Sequence, residues 1–178
     1  MIKLKKGVKN IKKIFHLSLI YLFLTATAVR ADDAMEYYNL GLNSSMSYKR
    51  VDYYTKALQL NPHLTEAYEG RAINYFFQRR FDKAIQDYNR VVASKPSDAN
   101  ALLMRGAAYL KQEKGGGYRT EFKNIVSHYT KRPRFETNEM LDRAIDDLSR
   151  AIQLKPDLAS AYSYRAEAYR LKGMTEPA

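Results

Sequence analysis

The stretch from Thr65 to Asp98 decides the predicted fold, and it reads TEAYEGRAINYFFQRRFDKAIQDYNRVVASKPSD. Its first part places residues at spacings of three, four and seven, which lie on one face of a helix: Tyr68, Arg71, Ala72 and Tyr75. A second face of the same type follows the short segment 78–80 and consists of Phe81, Ala84, Ile85, Tyr88 and Val91. The stretch therefore predicts two antiparallel helices joined by a tight turn, with the second ending near Pro96.

The same pattern recurs along the chain with a period of about 34 residues. Pro62 and Pro96 are one period apart, whereas the step from Pro96 to Pro156 is one period plus the length of an insert. The same two steps relate three further sets of residues: Arg71, Arg105 and Arg165; Tyr75, Tyr109 and Tyr169; Tyr54, Tyr88 and Leu148. Large and small apolar residues repeated at this period are typical of helical solenoids. Such a chain is expected to bind a partner rather than to transform a substrate.

At these positions the chain resembles the tetratricopeptide repeat family. The family positions are Tyr68, Ala72, Tyr75, Ala84, Tyr88, Val91 and Pro96 in one repeat, and Leu102, Gly106, Tyr109, Ala144, Leu148, Ala151 and Pro156 in the next. A further first helix contains Tyr162, Ala166 and Tyr169. The resemblance covers residues 34–178 apart from one insert. It implies an all-α, right-handed helical-hairpin solenoid of about 3.5 repeats with one helical insert.

The resemblance places the repeats at about 34–64, 65–98 and 99–158, with a capping helix at 159–178. The first repeat departs from the pattern, because Arg50 replaces a small residue. Its first helix, around Tyr37 to Asn43, is expected to be about three residues short. At the other end, the tyrosines of the capping helix leave apolar surface through which the chain could self-associate. A truncated gene product is the alternative explanation of that end.

The N-terminus has the three parts of a secretory signal peptide. Six lysines occur between residues 3 and 13 without an acid, and an apolar run follows from Ile14 to Val29. Val29-Arg30-Ala31 then supplies small residues at the last and third-from-last positions of a cleavage site. Residues 1–31 are therefore predicted to be removed on export, to the bacterial periplasm or the medium. An uncleaved membrane anchor is the alternative, although the apolar run is shorter than the roughly 20 residues that span a bilayer.

Removal of this segment changes the meaning of the high charge. The chain has 30 Lys and Arg against 19 Asp and Glu, a net charge of +11. Residues 1–31 hold seven of those bases and no acid, which leaves a net charge of +4. The basic balance therefore reflects mostly an export signal and does not indicate a nucleic-acid-binding protein. No cysteine is present, so stability must come from packing without disulfides.

Residues 113–138 form an insert between the two helices of the third repeat. Its apolar residues have helical spacing: Tyr118, Phe122, Ile125, Val126 and Tyr129. Between Lys114 and Arg134 six bases face one acid, and the candidate contacts are Lys123, Lys131, Arg132 and Arg134. Three interpretations stay open: an extra helix docked on the solenoid, a docking element for an acidic protein or an anionic membrane surface, and, least favoured, nucleic-acid binding.

The resemblance also implies a ligand site, since family members commonly hold a peptide or helix along the concave face lined by the first helix of each repeat. Carried over by position, the candidate partner-binding residues are Glu69, Ile73, Phe76, Asn100, Leu103, Leu110, Ser163 and Arg170. Some family members grip a carboxylate with Lys and Asn at groove positions. Here Glu69 and Leu103 stand where bases would help, which argues against that mode.

One further pattern predicts ion pairs between neighbouring repeats. Asp87 precedes Arg105 by the same offset at which Asp147 precedes Arg165. We expect each pair to join the second helix of one repeat to the first helix of the next and to fix the stacking angle.

The sequence contains no pattern that indicates catalysis, a metal or a cofactor. Cysteine is absent, and the three histidines are distant from one another in sequence. Two functions are expected instead. The first is an exported adaptor or scaffold that binds a protein or peptide through the concave face, with possible help from the basic insert. The alternative is a structural or assembly subunit of a membrane-associated envelope complex.

Overall fold

The computed structural model describes residues 31–115 and 134–174, and for residues 134–138 it describes the backbone only. The described chain consists of helices and short turns, with seven helices: α1 (31–43), α2 (Ser47–Leu60), α3 (Thr65–Phe77), α4 (Phe81–Ser94), α5 (Ala99–Glu113), α6 (Arg134–Leu154) and α7 (Ala159–Lys172). Successive helices from α2 to α7 pack against one another, and α3 with α5 and α5 with α7 form a second row of contacts. This arrangement confirms the predicted all-α hairpin solenoid.

Helix α1 corrects the expectation of a shortened first helix. Its described part occupies residues 31–43, which lie one period before α3 and equal it in length. The weak sequence match of this repeat therefore reflects unusual side chains and not a missing turn.

Small residues let the two helices approach closely in the second and third hairpins. In the second hairpin, Ala72 and Ala84 have no exposed surface, and Tyr88 fills the space beside them with 1% exposed. In the third hairpin Gly106 has the same role, because an added Cβ would lie 2.8 Å from Leu148 Cγ and 3.1 Å from the carbonyl oxygen of Ala144. The core thus depends on small side chains at the positions that the repeat pattern assigned to them.

The first hairpin uses a different device. The ring of Tyr54 lies between Gly41 of α1 and Gly70 of α3, and an added Cβ would lie 2.5 Å and 2.7 Å, respectively, from its atoms. Tyr54 also contacts Tyr38, with ring centroids 5.8 Å apart. Arg50, at the position where a small residue was expected, is half-buried and donates to the carbonyl oxygen of Ser44. One buried aromatic ring therefore joins α1, α2 and α3.

Helix α5 ends at Glu113, and Gly115 follows with a φ of 105°, a conformation that glycine adopts without strain. Helix α6 begins at Arg134, so residues 134–138, which the sequence assigned to the insert, belong to this helix. The predicted amphipathic helix of the insert falls within residues 116–133 and lies outside the described residues.

The predicted ion pairs between repeats are wrong. Asp87 binds Arg71, and Asp147 binds Arg105, each through two hydrogen bonds of 2.7–2.8 Å. Each pair therefore joins the two helices of one hairpin. The remaining guanidinium nitrogen, Nη1, reaches the preceding repeat, where Arg71 donates to Thr55 and Arg105 donates to Asn89. The arginine, and not the aspartate, makes the link between repeats.

Within the described part of the chain, no helix combines the length and the apolar character needed to cross a membrane.

Candidate binding surface

Helix α3 presents a continuous stripe of side chains along one face. Glu66, Glu69, Ile73, Phe76 and Phe77 recur at helical spacing. Ile73 and Phe76 are half-buried and pack against the core, whereas 75% of Phe77 is exposed. The Phe76 ring also contacts Phe81 and Phe77, with centroids 5.3 Å and 6.0 Å apart. The stripe thus changes from acidic at its N-terminal end to aromatic at its C-terminal end.

Helix α5 continues this surface only in its first half. Asn100 is exposed, and Leu103 is half-buried against the core. Leu110 has no exposed surface and belongs to the core, so its side chain is not offered to a ligand. The side chains that α5 presents beside the α3 stripe are therefore those of its first two turns.

Helix α7 contributes polar side chains. Ser163 is exposed, and its hydroxyl donates to the carbonyl oxygen of Ala159 in its own helix. Arg170 is exposed as well. Between them, Glu167 binds both Lys111 and Lys114 of α5. The hydrogen bond from Lys114 lowers the pKa of Glu167, with the charges of Lys111 and Lys114 acting in the same direction. Ion pairs within the protein thus occupy this end of the surface.

At the acidic end of the α3 stripe, in contrast to the α7 end, one carboxylate has no ion-pair partner among the described residues. Glu66 binds Lys95 at 3.0 Å, and Asp98 caps α5 by accepting from the backbone N–H groups of Asn100 and Ala101. Glu69 is half-buried and forms no hydrogen bond or ion pair with any residue in 31–115 or 134–174. Burial raises the pKa of Glu69, and the charge of Asp98 raises it further. A carboxylate in this state is held at a cost to stability.

The hydroxyl of Tyr88 is a second polar group without a partner among the described residues. Tyr88 is 1% exposed, and its phenolic oxygen has no hydrogen-bond partner within the described chain. Burial raises the pKa of Tyr88, and the charges of Glu69, Asp87 and Asp98 raise it further. Burial, and then the charges of Glu66 and Glu69, also raise the pKa of Tyr38 in α1.

The candidate residues of the insert are not part of this geometry. Lys123, Lys131 and Arg132 lie outside the described residues. Arg134 begins α6, and only its backbone is described. Their role in binding stays a prediction.

Sequence reasoning missed the exposure of Phe77, although its spacing from Ile73 places it on the same helical face. It also missed the environment of Glu69, because the contributing residues come from four different parts of the chain and have no common spacing. Within the described residues, no group of acidic and histidine side chains is arranged to hold a metal ion.

Comparison with known proteins identifies what part of the chain and its fold resemble. Residues 69–115 match the family described as tetratricopeptide repeat. No curated protein matches the chain significantly. Residues 69–115, which lie within the hairpin solenoid, are thus similar to tetratricopeptide repeats.

Solved structures agree on the fold. The first tetratricopeptide domain of Spaghetti (RPAP3), bound to the HSP90 peptide SRMEEVD, is 22% identical with a TM-score of 0.54, over 83% of this chain and 93% of that one. The second such domain of human RPAP3, in complex with the HSP70 peptide SGPTIEEVD, is 15% identical with a TM-score of 0.56, over 80% and 97%. The protein TTC0263 of Thermus thermophilus is 18% identical with a TM-score of 0.54, over 83% and 66%. At these identities the likeness concerns the fold alone.

Proposed function

We propose that this protein is an exported adaptor or scaffold that binds a segment of another protein along the face formed by α3 and the first half of α5. The observation that carries the proposal is the partly exposed apolar stripe of Ile73, Phe76, Phe77 and Leu103. Aromatic side chains held by a packed core and open to water on one side are typical anchors of protein interfaces. The peptides bound to the RPAP3 domains are consistent with a ligand on such a face.

Site-specific photo-crosslinking tests this proposal. A photoreactive amino acid replaces Phe77 in one variant and Gln86, an exposed residue of α4, in the other. The proposal expects a discrete crosslinked partner from position 77 and not from position 86. Identical products from both positions would contradict it.

A pair of substitutions supplies the matched control. Phe77→Ser removes an aromatic side chain that is 75% exposed, and Leu154→Ser removes an apolar side chain that is 46% exposed at the end of α6. Both variants should melt within about 2 °C of the parent, because exposed side chains contribute little to stability. Only Phe77→Ser should lose the partner. Equal loss in both variants would move the site away from the α3 stripe.

The first hairpin favours a second candidate function, that of an assembly subunit. Its large apolar side chains are exposed by 41–66%: Met35, Leu40, Leu42, Met46 and Tyr48. Surfaces of this kind commonly mark a contact with another protein or with a membrane. Sedimentation of the protein alone and with anionic vesicles tests this function. Monomeric behaviour without vesicle binding would exclude it.

Export itself rests on the N-terminal sequence. We propose cleavage after Ala31, so that the mature protein begins at Asp32. N-terminal sequencing of the protein recovered from the cell envelope tests this, and an intact Met1 in the membrane fraction would support the anchored alternative.

A further inference from the structure

The acidic end of the α3 stripe combines three features that the repeat architecture does not require. Glu69 is half-buried without a hydrogen bond or ion pair among the described residues. The charges of two further carboxylates, Asp98 and Glu66, act on it, and among the described residues Lys95 is the cation that acts on it. Tyr88 is buried, its hydroxyl has no hydrogen-bond partner among the described residues, and the charge of Glu69 acts on it. Three acids against one base give this end a net charge of −2, although the chain as a whole is basic.

Structural requirements explain the other acids of the group. Glu66 forms a surface ion pair with Lys95, and Asp98 caps α5. Asp87, which also acts on Tyr88, is bound by Arg71. Glu69 alone has no such structural partner within the described residues. A half-buried carboxylate that burial and like charges disfavour, and that lacks a partner within the protein, is a candidate binding group for a cation.

We propose that Glu69 binds the cationic side chain of a lysine or arginine in the partner segment, and that the partner is therefore basic and apolar rather than acidic. This inference rests on the proposed function and specifies the ligand of the same surface. Ile73, Phe76, Phe77 and Leu103 accept the apolar residues of the segment. The hydroxyl of Tyr88 supports the carboxylate once a cation draws it into a fixed position. Carboxylate-terminated acidic peptides are disfavoured, because they would bring like charge to Glu69.

The spacing along α3 sets the form of the ligand. Glu69 and Phe76 are seven residues apart, which corresponds to about 10 Å along a helix axis. An extended segment covers this distance in about three residues, at roughly 3.3 Å each. The segment should thus have a lysine or arginine about three positions from a leucine or phenylalanine.

Fluorescence anisotropy with defined peptides tests the inference on the full chain. The probes are acetylated and amidated peptides of one apolar sequence, in which the residue facing Glu69 is lysine, glutamine or glutamate. The parent protein should bind the lysine peptide about tenfold more tightly than the glutamine peptide, since a charge-assisted hydrogen bond differs from a neutral one by about this factor. The glutamate peptide should bind most weakly. This order should flatten as the salt concentration rises.

Three variants complete the design. Glu69→Gln should reduce the lysine preference by about tenfold, and Glu69→Lys should reverse the order so that the glutamate peptide binds best. Glu139→Gln is the matched control, because it makes the same change at an exposed residue of α6 that pairs with Arg143. The control should keep the parent preference.

The outcomes separate this inference from the proposed function. If all three peptides bind with equal affinity and Phe77→Ser weakens their binding, the ligand need not be basic, but the proposed site is retained. Tightest binding of the glutamate peptide to the parent protein would also overturn the inference. No binding of any peptide, or binding that is insensitive to Phe77→Ser, would overturn both.

Discussion

The ion pair between Arg105 and Asp147 gives the sharpest prediction for the fold. Asp147 is nearly inaccessible, with 3% of its side chain exposed, and 17% of the Arg105 side chain is exposed. Two hydrogen bonds of 2.7 Å join them, and the hydrogen bonds to Asp147 raise the pKa of Arg105. The third nitrogen of the guanidinium donates to Asn89 of the preceding repeat at 2.9 Å. Asp147→Asn keeps the shape and one acceptor oxygen but removes the charge from this network.

The magnitude follows from the burial of the pair. Removal of one partner of a buried ion pair costs about 3–5 kcal/mol, because it leaves the other charge uncompensated. Asparagine retains one hydrogen bond, so we expect a loss of about 2 kcal/mol in the free energy of unfolding. In a chain of this size the melting temperature should fall by roughly 6 °C.

Circular dichroism during thermal and urea unfolding measures the effect. Asp146→Asn is the control, since Asp146 is the neighbouring aspartate and is exposed. It should change stability by less than about 0.5 kcal/mol. Equal melting temperatures for the two variants would refute the reasoning. So would a stable Asp147→Asn variant that has lost its ligand, because the pair would then belong to the binding site.

Three further outcomes are expected. Gly70→Ala should destabilise the protein by about 1–3 kcal/mol in urea unfolding, because the new methyl group would overlap the Tyr54 ring. Arg79→Gly should raise the unfolding free energy by about 1 kcal/mol, because Arg79 has a φ of 59°. Arg80→Gly, at a φ of −90°, should not do so. Glu69→Gln should raise the melting temperature at neutral pH. The gain should vanish below the usual glutamate pKa of 4.5 and grow as pH rises through the raised pKa of Glu69, because the folded state favours the protonated form. A gain that is independent of pH would contradict this assignment.

The hairpins could be predicted from the sequence because their determinants are periodic. Ala72, Ala84 and Tyr88 lie at fixed offsets in one repeat, and Gly106, Ala144 and Leu148 occupy the same places in the next. All six are buried where the pattern placed them. The repeat period shows which residues occupy equivalent positions in successive repeats, and this was sufficient to identify the core residues.

The ion pairs could not be predicted in the same way. The period shows which positions are equivalent, but it does not show whether an aspartate pairs with the arginine before it or with the one after it. An arginine occupies the same family position both before and after Asp87 in the chain, as Arg71 and as Arg105. Only the packing of α3 on α4 shows that Arg71, and not Arg105, lies opposite Asp87. The environment of Glu69 was equally hidden, since Tyr38, Tyr88 and Asp98 come from separate elements and meet only through the fold.

The two ends of the surface formed by α3, α5 and α7 differ in how their charged side chains are paired. At the C-terminal end Glu167 is bound by Lys111 and Lys114, so the opposite charges of α5 and α7 satisfy each other. At the N-terminal end Glu69 has no such partner in the described chain, and the aromatic side chain of Phe77 is exposed two turns further along the same helix. Part-exposed ion pairs add little to stability, but they compensate each other's charge within the protein, whereas a half-buried carboxylate without a partner lowers stability unless a ligand compensates it. The charges that join α5 to α7 are thus satisfied within the protein, whereas α3 and the start of α5 form the surface at which we propose that the ligand binds.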